Sequence, residues 1–274
     1  MATKSKTTEV ATIKQPGTDL ALPEDWQVAL AADAKNETAL EVSEAQAFSL
    51  RAGILSYNDQ PMPNNEMDVI VVASAFEKAM FISKFDPTNI QPPLCFALSP
   101  DGDGMSPHEN SYKPQGGHDD AGNGTGMCQG CPQLDWGSDP NSPSGRGKMC
   151  KETRRLGVVP LDALADGVEK AVSAMLRIPV TSVVNWSAYV HLLAATSKRP
   201  PWSVVTRIKV VPDPKKQFQV TFSVVAPVND THQLAAIQEM RGRVQKSIMN
   251  PYALMTEEQY KEITNPPPKK KGKF

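Results

Sequence analysis

The stretch MDVIVVASAFEKAMFISKFD, residues 67–86, is rich in β-branched and aromatic residues. Such side chains fit the pleated, half-buried surface of a sheet, so the stretch predicts one long, bent strand. FSLRAGILSYND, residues 48–59, predicts a strand before it, because apolar and small residues alternate with polar ones ahead of a turn-rich segment. LPEDWQVALAADAKNET, residues 22–38, has the apolar spacing of a short helix. Residues 48–59 and 67–86 are therefore predicted to form the first two strands of a sheet.

The second half of the chain predicts further strands, two helices and a hairpin. RRLGVVPLDAL (154–164) and EKAVSAMLRIPV (169–180) have the composition of strands. TSVVNWSAYVHLLAATSK (181–198) predicts a helix, and DTHQLAAIQEMRGRVQKSI (230–248) predicts another. Between them, residues 201–228 alternate on both sides of a PDPKK turn, as a hairpin does.

This order of elements favours a particular mixed β/α fold. An OB-fold barrel runs through three strands, a helix and two more strands, and the predicted elements follow that order. We therefore expect an OB-like β-barrel with a zinc-stabilised loop insertion and accessory helices. In the helix predicted at residues 181–198, the apolar face is expected to carry Val184, Ala188, Leu192 and Ala195.

Composition limits the possible functions. The chain has 274 residues, of which 40% are hydrophobic, so it is not disordered as a whole. Its net charge of -1 excludes a uniformly basic nucleic-acid coat, and a nucleic-acid site would need local clusters of cations. No apolar run approaches the roughly 20 residues of a membrane span. We expect no membrane partner and a cytoplasmic location.

The sequence predicts one folded domain between two tails. Residues 1–21 are polar and low in aromatic residues, which is typical of a flexible tail. Residues 22–250 are expected to form the OB-like domain, with an insert at about residues 95–151. Residues 251–274 end in PPPKKKGKF and are expected to form a flexible basic tail.

Cysteine spacing within the insert predicts a metal site. Residues 99–126 contain almost no apolar side chains and cannot form a core of their own. Cys128 and Cys131 have the C-x2-C spacing that lets two thiolates bind one tetrahedral ion. Cys150 is a candidate for the third ligand and Cys95 for the fourth. We therefore predict one structural Zn²⁺ bound by these four cysteines, with the insert ordered by the metal.

Several alternatives to the four-cysteine site stay open. His108 or His118 could replace Cys95, which lies in the apolar PPLCFALS and could be a buried core residue instead. A redox dithiol at Cys128 and Cys131 is a weaker alternative, because the strand and helix start expected of that motif are absent.

Cations and aromatic residues alternate near the last cysteine. SGRGKMCKETRR, residues 144–155, is strongly basic, and Trp136 lies close by in sequence. An exposed ring that stacks on bases, beside cations that contact phosphates, suits single-stranded nucleic acid. Shielding of the metal is an equal alternative for Trp136. The hairpin and FEKAMFISKF, residues 76–85, show similar alternation. The predicted nucleic-acid-binding residues are Lys84, Trp136, Arg146, Lys148, Lys151, Arg154, Arg155, Trp202, Arg207 and Lys209.

A resemblance supports the binding interpretation. The segments CQGCPQLDWGSDPNSPSGRGKMCKETRR, PVTSVVNWSAYVHLLA and PWSVVTRIKV are similar to those of tailed-bacteriophage proteins found among replication and recombination functions. That group resembles phage single-stranded DNA-binding proteins of the OB-fold type. The resemblance implies a non-enzymatic protein that binds single-stranded DNA in phage replication or recombination. Its other partners would be phage or host replication proteins.

Two other classes of function remain as alternatives. A zinc-containing, metal-dependent nuclease would use a histidine base beside carboxylate ligands that activate water. A structural or host-interaction protein would use the insert to contact another protein. The candidate nuclease groups are His108 with Glu109 and Asn110, and His118 with Asp119 and Asp120.

Overall fold

The computed structural model describes residues 48–83, 90–118, 124–164, 167–168 and 171–265. All of them belong to the unit formed by residues 45–274. The predicted tail at residues 1–21, the predicted helix at 22–38 and the predicted binding residue Lys84 lie outside the described residues.

Two antiparallel sheets contain the described strands. A small sheet consists of β1 (Phe48–Arg51), β2 (Ile54–Tyr57) and β3 (Gln60–Pro61). The main sheet contains β4 (Glu66–Met80), β5 (Cys95–Ser99), β6 (Cys150–Pro160), β7 (Ala174–Ile178), β8 (Val204–Asp213) and β9 (Gln217–Pro227). Its strand order is β7-β6-β4-β8-β9, and β5 pairs with the second half of β4. Among the described residues there are three α-helices: α1 (Val183–Thr196), α2 (Thr231–Ile248) and α3 (Glu257–Thr264).

Strand β4 is the centre of the main sheet. Its first residues pair with β8, its last residues pair with β5, and β6 runs along its other edge. The register with β6 shifts between Val71 and Ala73, which marks a bulge of the kind that bends a strand. The predicted long strand is therefore confirmed over residues 66–80.

The central strands of the main sheet pack on both faces. One face packs with α1 and the small sheet around Leu156, Leu176 and Ile208. The other face packs against α2 around Ile70 and Ile237. Two packed faces explain why β4 has a continuous apolar run at residues 69–73 and β6 has one at residues 156–160.

Close packing of α2 depends on a glycine in β6. A Cβ atom on Gly157 would lie 2.3 Å from a methyl carbon of Val244 and 3.2 Å from one of Ile248. The first distance is too short for a contact between two carbon atoms, so a side chain at residue 157 would force Val244, and α2 with it, to shift.

Helix α1 is present where the sequence predicts it, but it buries a different face. Trp186, Tyr189 and Leu193 are its buried residues, and the Tyr189 hydroxyl lies 2.6 Å from that of the buried Thr206. Val184 is 63% exposed. The predicted apolar face was therefore wrong, because the two aromatic rings bury more area than the small alanines on the opposite side. The exposed residues of the predicted face are Val184, Ala188, Leu192 and Ala195.

The mixed β/α class is confirmed, but neither sheet closes into a barrel within the described residues. Closure would require β7 to pair with β9, the two ends of the main sheet. Instead, the start of α1 occupies the free edge of β9: the Val220 N–H donates to Ser182 Oγ (2.9 Å), and Asn185 Nδ2 donates to the Val220 carbonyl (2.8 Å). The predicted OB barrel is corrected to an open sheet for this reason.

The chain after α2 differs from the predicted tail over residues 251–265. Met255 is buried, and a capping box at Thr256 starts α3. The ring of Tyr260 lies 5.1 Å from that of Tyr112, so α3 packs against the insert. Residues 266–274 lie outside the described part of the chain.

Among the described residues, no helix combines the length and the apolar character needed to cross a membrane.

Candidate nucleic-acid interface

The connection between β4 and β6 contains β5 and the cysteine-bearing insert. Met80, the last residue of β4, pairs with Cys95 on one side and with Cys150 on the other. Residues paired across neighbouring strands point to the same face of a sheet. Cys95 and Cys150 therefore flank Met80 on one face, at the end where the insert begins and ends.

The C-x2-C pair lies over that end of the sheet. The Cys128 N–H donates to the Met105 carbonyl at 2.7 Å, and Cys131 follows a tight turn in which Gly130 has a φ of 70°. A left-handed φ of this kind favours glycine. The predicted metal ligands, Cys95, Cys128, Cys131 and Cys150, line one cavity of about 10 Å³. That volume holds about one water-sized sphere.

The electrostatics of the cysteines reflect burial and mutual proximity. Burial, followed by the effect of neighbouring thiolates, raises the pKa of Cys150 to about 12. Burial likewise raises the pKa of Cys128 to about 11, although Lys78 opposes the shift. Without a cation, the thiols of Cys128 and Cys150 are neutral at pH 7. Within the described ranges, no three His, Cys, Asp or Glu side chains are arranged as they stand to hold a metal ion.

The histidines proposed as alternative ligands do not line the cavity. The ring of His108 stacks on Phe96, with centroids 4.9 Å apart, and its Nδ1 accepts a hydrogen bond from the Asn110 N–H at 3.0 Å. His118 lies in an isolated bridge with Gly124. The structure therefore brings together the predicted cysteines and neither histidine.

Trp136 is the most exposed large hydrophobic residue in the part of the chain described, at 77%. Lys148 places its ammonium group 5.1 Å from the centre of the indole ring. The loop that carries both is internally bonded: the Gly137 and Asp139 N–H groups donate to the Gly147 carbonyl at 3.1 and 3.0 Å. The ring and the cation are thus held on an ordered loop.

Ion pairs and ring contacts extend this surface onto the sheet. Lys148 pairs with Glu152 at 3.0 Å, and Glu152 lies 3.9 Å from Lys78. One step further along β6, the Arg154 guanidinium lies 3.6 Å from the centre of the Phe76 ring. Lys78, Glu152, Arg154 and Phe76 line a cleft of about 310 Å³. We define the Trp136 surface as Phe76, Lys78, Trp136, Arg146, Lys148, Glu152 and Arg154, in which four cations oppose one carboxylate.

Two predicted cations face away from this surface. Arg155 is 2% exposed and donates to Glu77 Oε2 at 2.7 Å on the opposite face of the sheet. Lys151 pairs with Asp139 at 3.1 Å and lines a separate cavity with Arg177. Neighbouring residues of a strand point to opposite faces, so Arg154 and Arg155 cannot contribute to one basic face. The prediction that placed Arg155 in the binding site is corrected accordingly.

The predicted binding residues in and before the hairpin contact other parts of the protein. Trp202 is half-buried in the cluster under α2, with the Arg241 guanidinium 5.3 Å from its ring centre. Arg207 bonds both carboxylate oxygens of Asp68, at 2.7 and 2.8 Å, and Lys209 pairs with Glu66 at 2.7 Å. The structure does not join these predicted residues to the Trp136 surface. Phe76 and Lys78 were not among the residues predicted to bind nucleic acid, although aromatic residues and cations alternate in residues 76–85.

A buried ionic cluster lies on the face opposite the Trp136 surface. Glu77 is 1% exposed and accepts hydrogen bonds from Arg155 Nε (2.7 Å), Arg177 Nε (3.0 Å) and the Tyr252 hydroxyl. Arg155 Nη1 also donates to the Ile248 and Asn250 carbonyls, at 3.0 and 2.6 Å. Burial raises the pKa of Glu77, but Arg177, Arg155 and the hydrogen bond from the Tyr252 hydroxyl together outweigh it and hold the pKa below its ordinary value. The cluster fastens the end of α2 and the following segment to the sheet.

Among the described residues, the predicted nuclease groups do not form a metal site. His108 and Glu109 belong to no group that could hold an ion. Asp119 and Asp120 lie outside the described part of the chain.

Comparisons with protein-family models, curated proteins and solved structures return no match for this chain. The resemblance to phage proteins, and the function it implies, therefore stay predictions.

Proposed function

We propose that the protein binds single-stranded DNA through the Trp136 surface. The observation that carries this proposal is the 77% exposure of Trp136 beside Lys148, on an ordered loop. An indole left in water loses the favourable burial that a core position would give it. Every base has a face that can stack on such a ring, and Lys148 and Arg146 lie on the same loop to contact phosphates.

The connectivity of the main sheet supports the same function. Strands β4, β6 and β7 form an antiparallel meander, α1 follows, and β8 and β9 form the closing hairpin. This is the order of a partly open OB fold, which binds oligonucleotides on its second and third strands and on the loops after its first and fourth. We infer an OB-like relationship in which the insert between β4 and β6 is the first of these loops. That loop carries Trp136.

Single strands fit the surface better than duplexes. An indole can stack only on a base whose face is free, and duplex bases are stacked on each other. Arg154 above Phe76 offers a second flat group along β6. We propose that the strand runs from Trp136 toward this pair, with its phosphates near Lys148 and Lys78.

Replacing Trp136 with alanine is expected to weaken binding of single-stranded DNA by about 1–3 kcal/mol, the cost of losing one stacked base. This corresponds to roughly a 5- to 140-fold rise in Kd. Fluorescence anisotropy with labelled oligo-dT gives both affinities. Circular dichroism should be unchanged, because the ring supports no core.

The matched control is Trp202→Phe, which changes a tryptophan that packs under α2. This variant should bind as the parent does. Equal affinity of the parent and Trp136→Ala, or a preference of the parent for duplex DNA, would contradict the proposal. Magnesium-dependent cleavage of the oligonucleotide would favour the nuclease alternative instead.

A further inference from the structure

We propose that Cys95, Cys128, Cys131 and Cys150 bind one zinc ion that fixes the insert to the end of the main sheet. The observations that support the metal site are separate from those that support DNA binding, although the insert also carries Trp136. The four ligands come from three separate places in the fold: the start of β5, the start of β6 and the turn between them. All four line the same cavity of about 10 Å³, and none is in a disulfide.

Strand pairing is the reason that the ligands converge. Cys95 and Cys150 both pair with Met80, so the sheet holds them on one face at one level. The turn at Gly130 then brings Cys128 and Cys131 over that level. The backbone thus places the four cysteines around one cavity, where rotations about their side-chain bonds would turn the sulfur atoms toward one ion.

The surroundings of the cavity fit a thiolate-bound cation. The Gln115 N–H donates to Cys95 Sγ at 3.3 Å, which is the type of contact that orients a metal-bound thiolate. Each thiol would release its proton to solvent as its sulfur–metal bond forms. Four thiolates around a divalent ion leave two negative charges, and the ammonium-bearing Lys78 lines the cavity to offset them.

A bound ion would also stabilise the insert around the C-x2-C pair. Within the described residues, the apolar cluster at this point has three buried members, Ala97, Met105 and Cys128. A cluster of this size offsets little of the conformational entropy that a long polar segment loses on folding. A site with four protein ligands leaves no coordination position open, so the zinc would be structural.

The test uses the purified full-length chain. We expect one zinc per chain by elemental analysis and by native mass spectrometry, released in step with modification of four thiols by a mercurial. Cobalt supplied in place of zinc should give the intense visible bands of a tetrahedral thiolate site. Folded parent protein that contains no zinc, contains iron instead, or forms a Cys128–Cys131 disulfide would overturn the proposal.

Variants identify the ligands. Cys128→Ser and Cys150→Ser should each lose the stoichiometric zinc, whereas His108→Gln and His118→Gln should keep it. Zinc retained by both cysteine variants, or lost by either histidine variant, would overturn the four-cysteine site. If a cysteine variant fails to fold, the parent metal content and the cobalt spectrum still decide the question. Loss of zinc without loss of DNA affinity would leave the metal site standing and separate it from the proposed function.

Discussion

Glu77→Ala is expected to destabilise the folded protein by about 3–5 kcal/mol, the usual cost of breaking a buried ion pair. The substitution leaves the Arg155 guanidinium, which is 2% exposed, without its carboxylate partner. It also removes the acceptor for the Tyr252 hydroxyl and for Arg177 Nε. Chemical denaturation of the parent and the variant gives the difference in the free energy of unfolding.

Glu152→Ala is the matched control, because Glu152 is a carboxylate in the neighbouring strand that pairs with two lysines. Its side chain is 41% exposed, so water screens the pairs and the loss should stay below about 1 kcal/mol. A Glu77→Ala variant as stable as Glu152→Ala would show that the buried cluster does not fasten the segment after α2.

The same cluster predicts a dependence of stability on pH. The pKa of Glu77 is lowered in the folded state, so its contribution is fully present above the ordinary glutamate pKa, about 4.3. That contribution is lost as pH falls toward the lowered folded-state pKa, because protonation then favours unfolding. Glu77→Gln should therefore show a smaller loss of stability below pH 5 than the parent.

The second large effect is expected at Trp186 in α1. Trp186→Ala should cost about 3–5 kcal/mol, as is typical when a buried aromatic side chain is removed from a core. Its ring packs edge-on against Phe222 at 5.2 Å and near Tyr189 at 5.8 Å. Thermal unfolding followed by circular dichroism measures the loss.

Val184→Ala on the same helix tests which face is buried. Val184 is 63% exposed, so its truncation should change stability by less than about 0.5 kcal/mol. A larger loss for Val184→Ala than for Trp186→Ala would mean that α1 buries the face first predicted from the sequence.

Much of the secondary structure could be predicted from the sequence, whereas the closure of the sheet could not. Alternation and β-branched composition locate β4, β6, β8 and β9 because these patterns are local. The hydrogen bonds from Ser182 and Asn185 to the edge of β9 depend on where α1 lies in space. No local pattern reports that position, so a barrel was expected where the sheet stays open.

The candidate site was predictable to a similar degree. Spacing identified the cysteines as a group, but their convergence depends on the pairing of Met80 with two strands. The placement of Arg154 and Arg155 on opposite faces of the sheet could have been predicted, since residues 154–164 were predicted to be a strand. Applying the two-residue period there would have placed Arg155 on the opposite face and would have pointed to Phe76 and Lys78 on β4.

Photochemical crosslinking tests the central claim most directly. A single-stranded oligonucleotide with photoreactive pyrimidines is bound to the parent protein and irradiated, and mass spectrometry locates the modified residues. The Trp136 surface predicts a dominant crosslink at Trp136, lost with excess unlabelled single strand and retained with excess duplex. Crosslinks confined to the hairpin around Trp202, or binding without any crosslink in residues 136–154, would contradict the account.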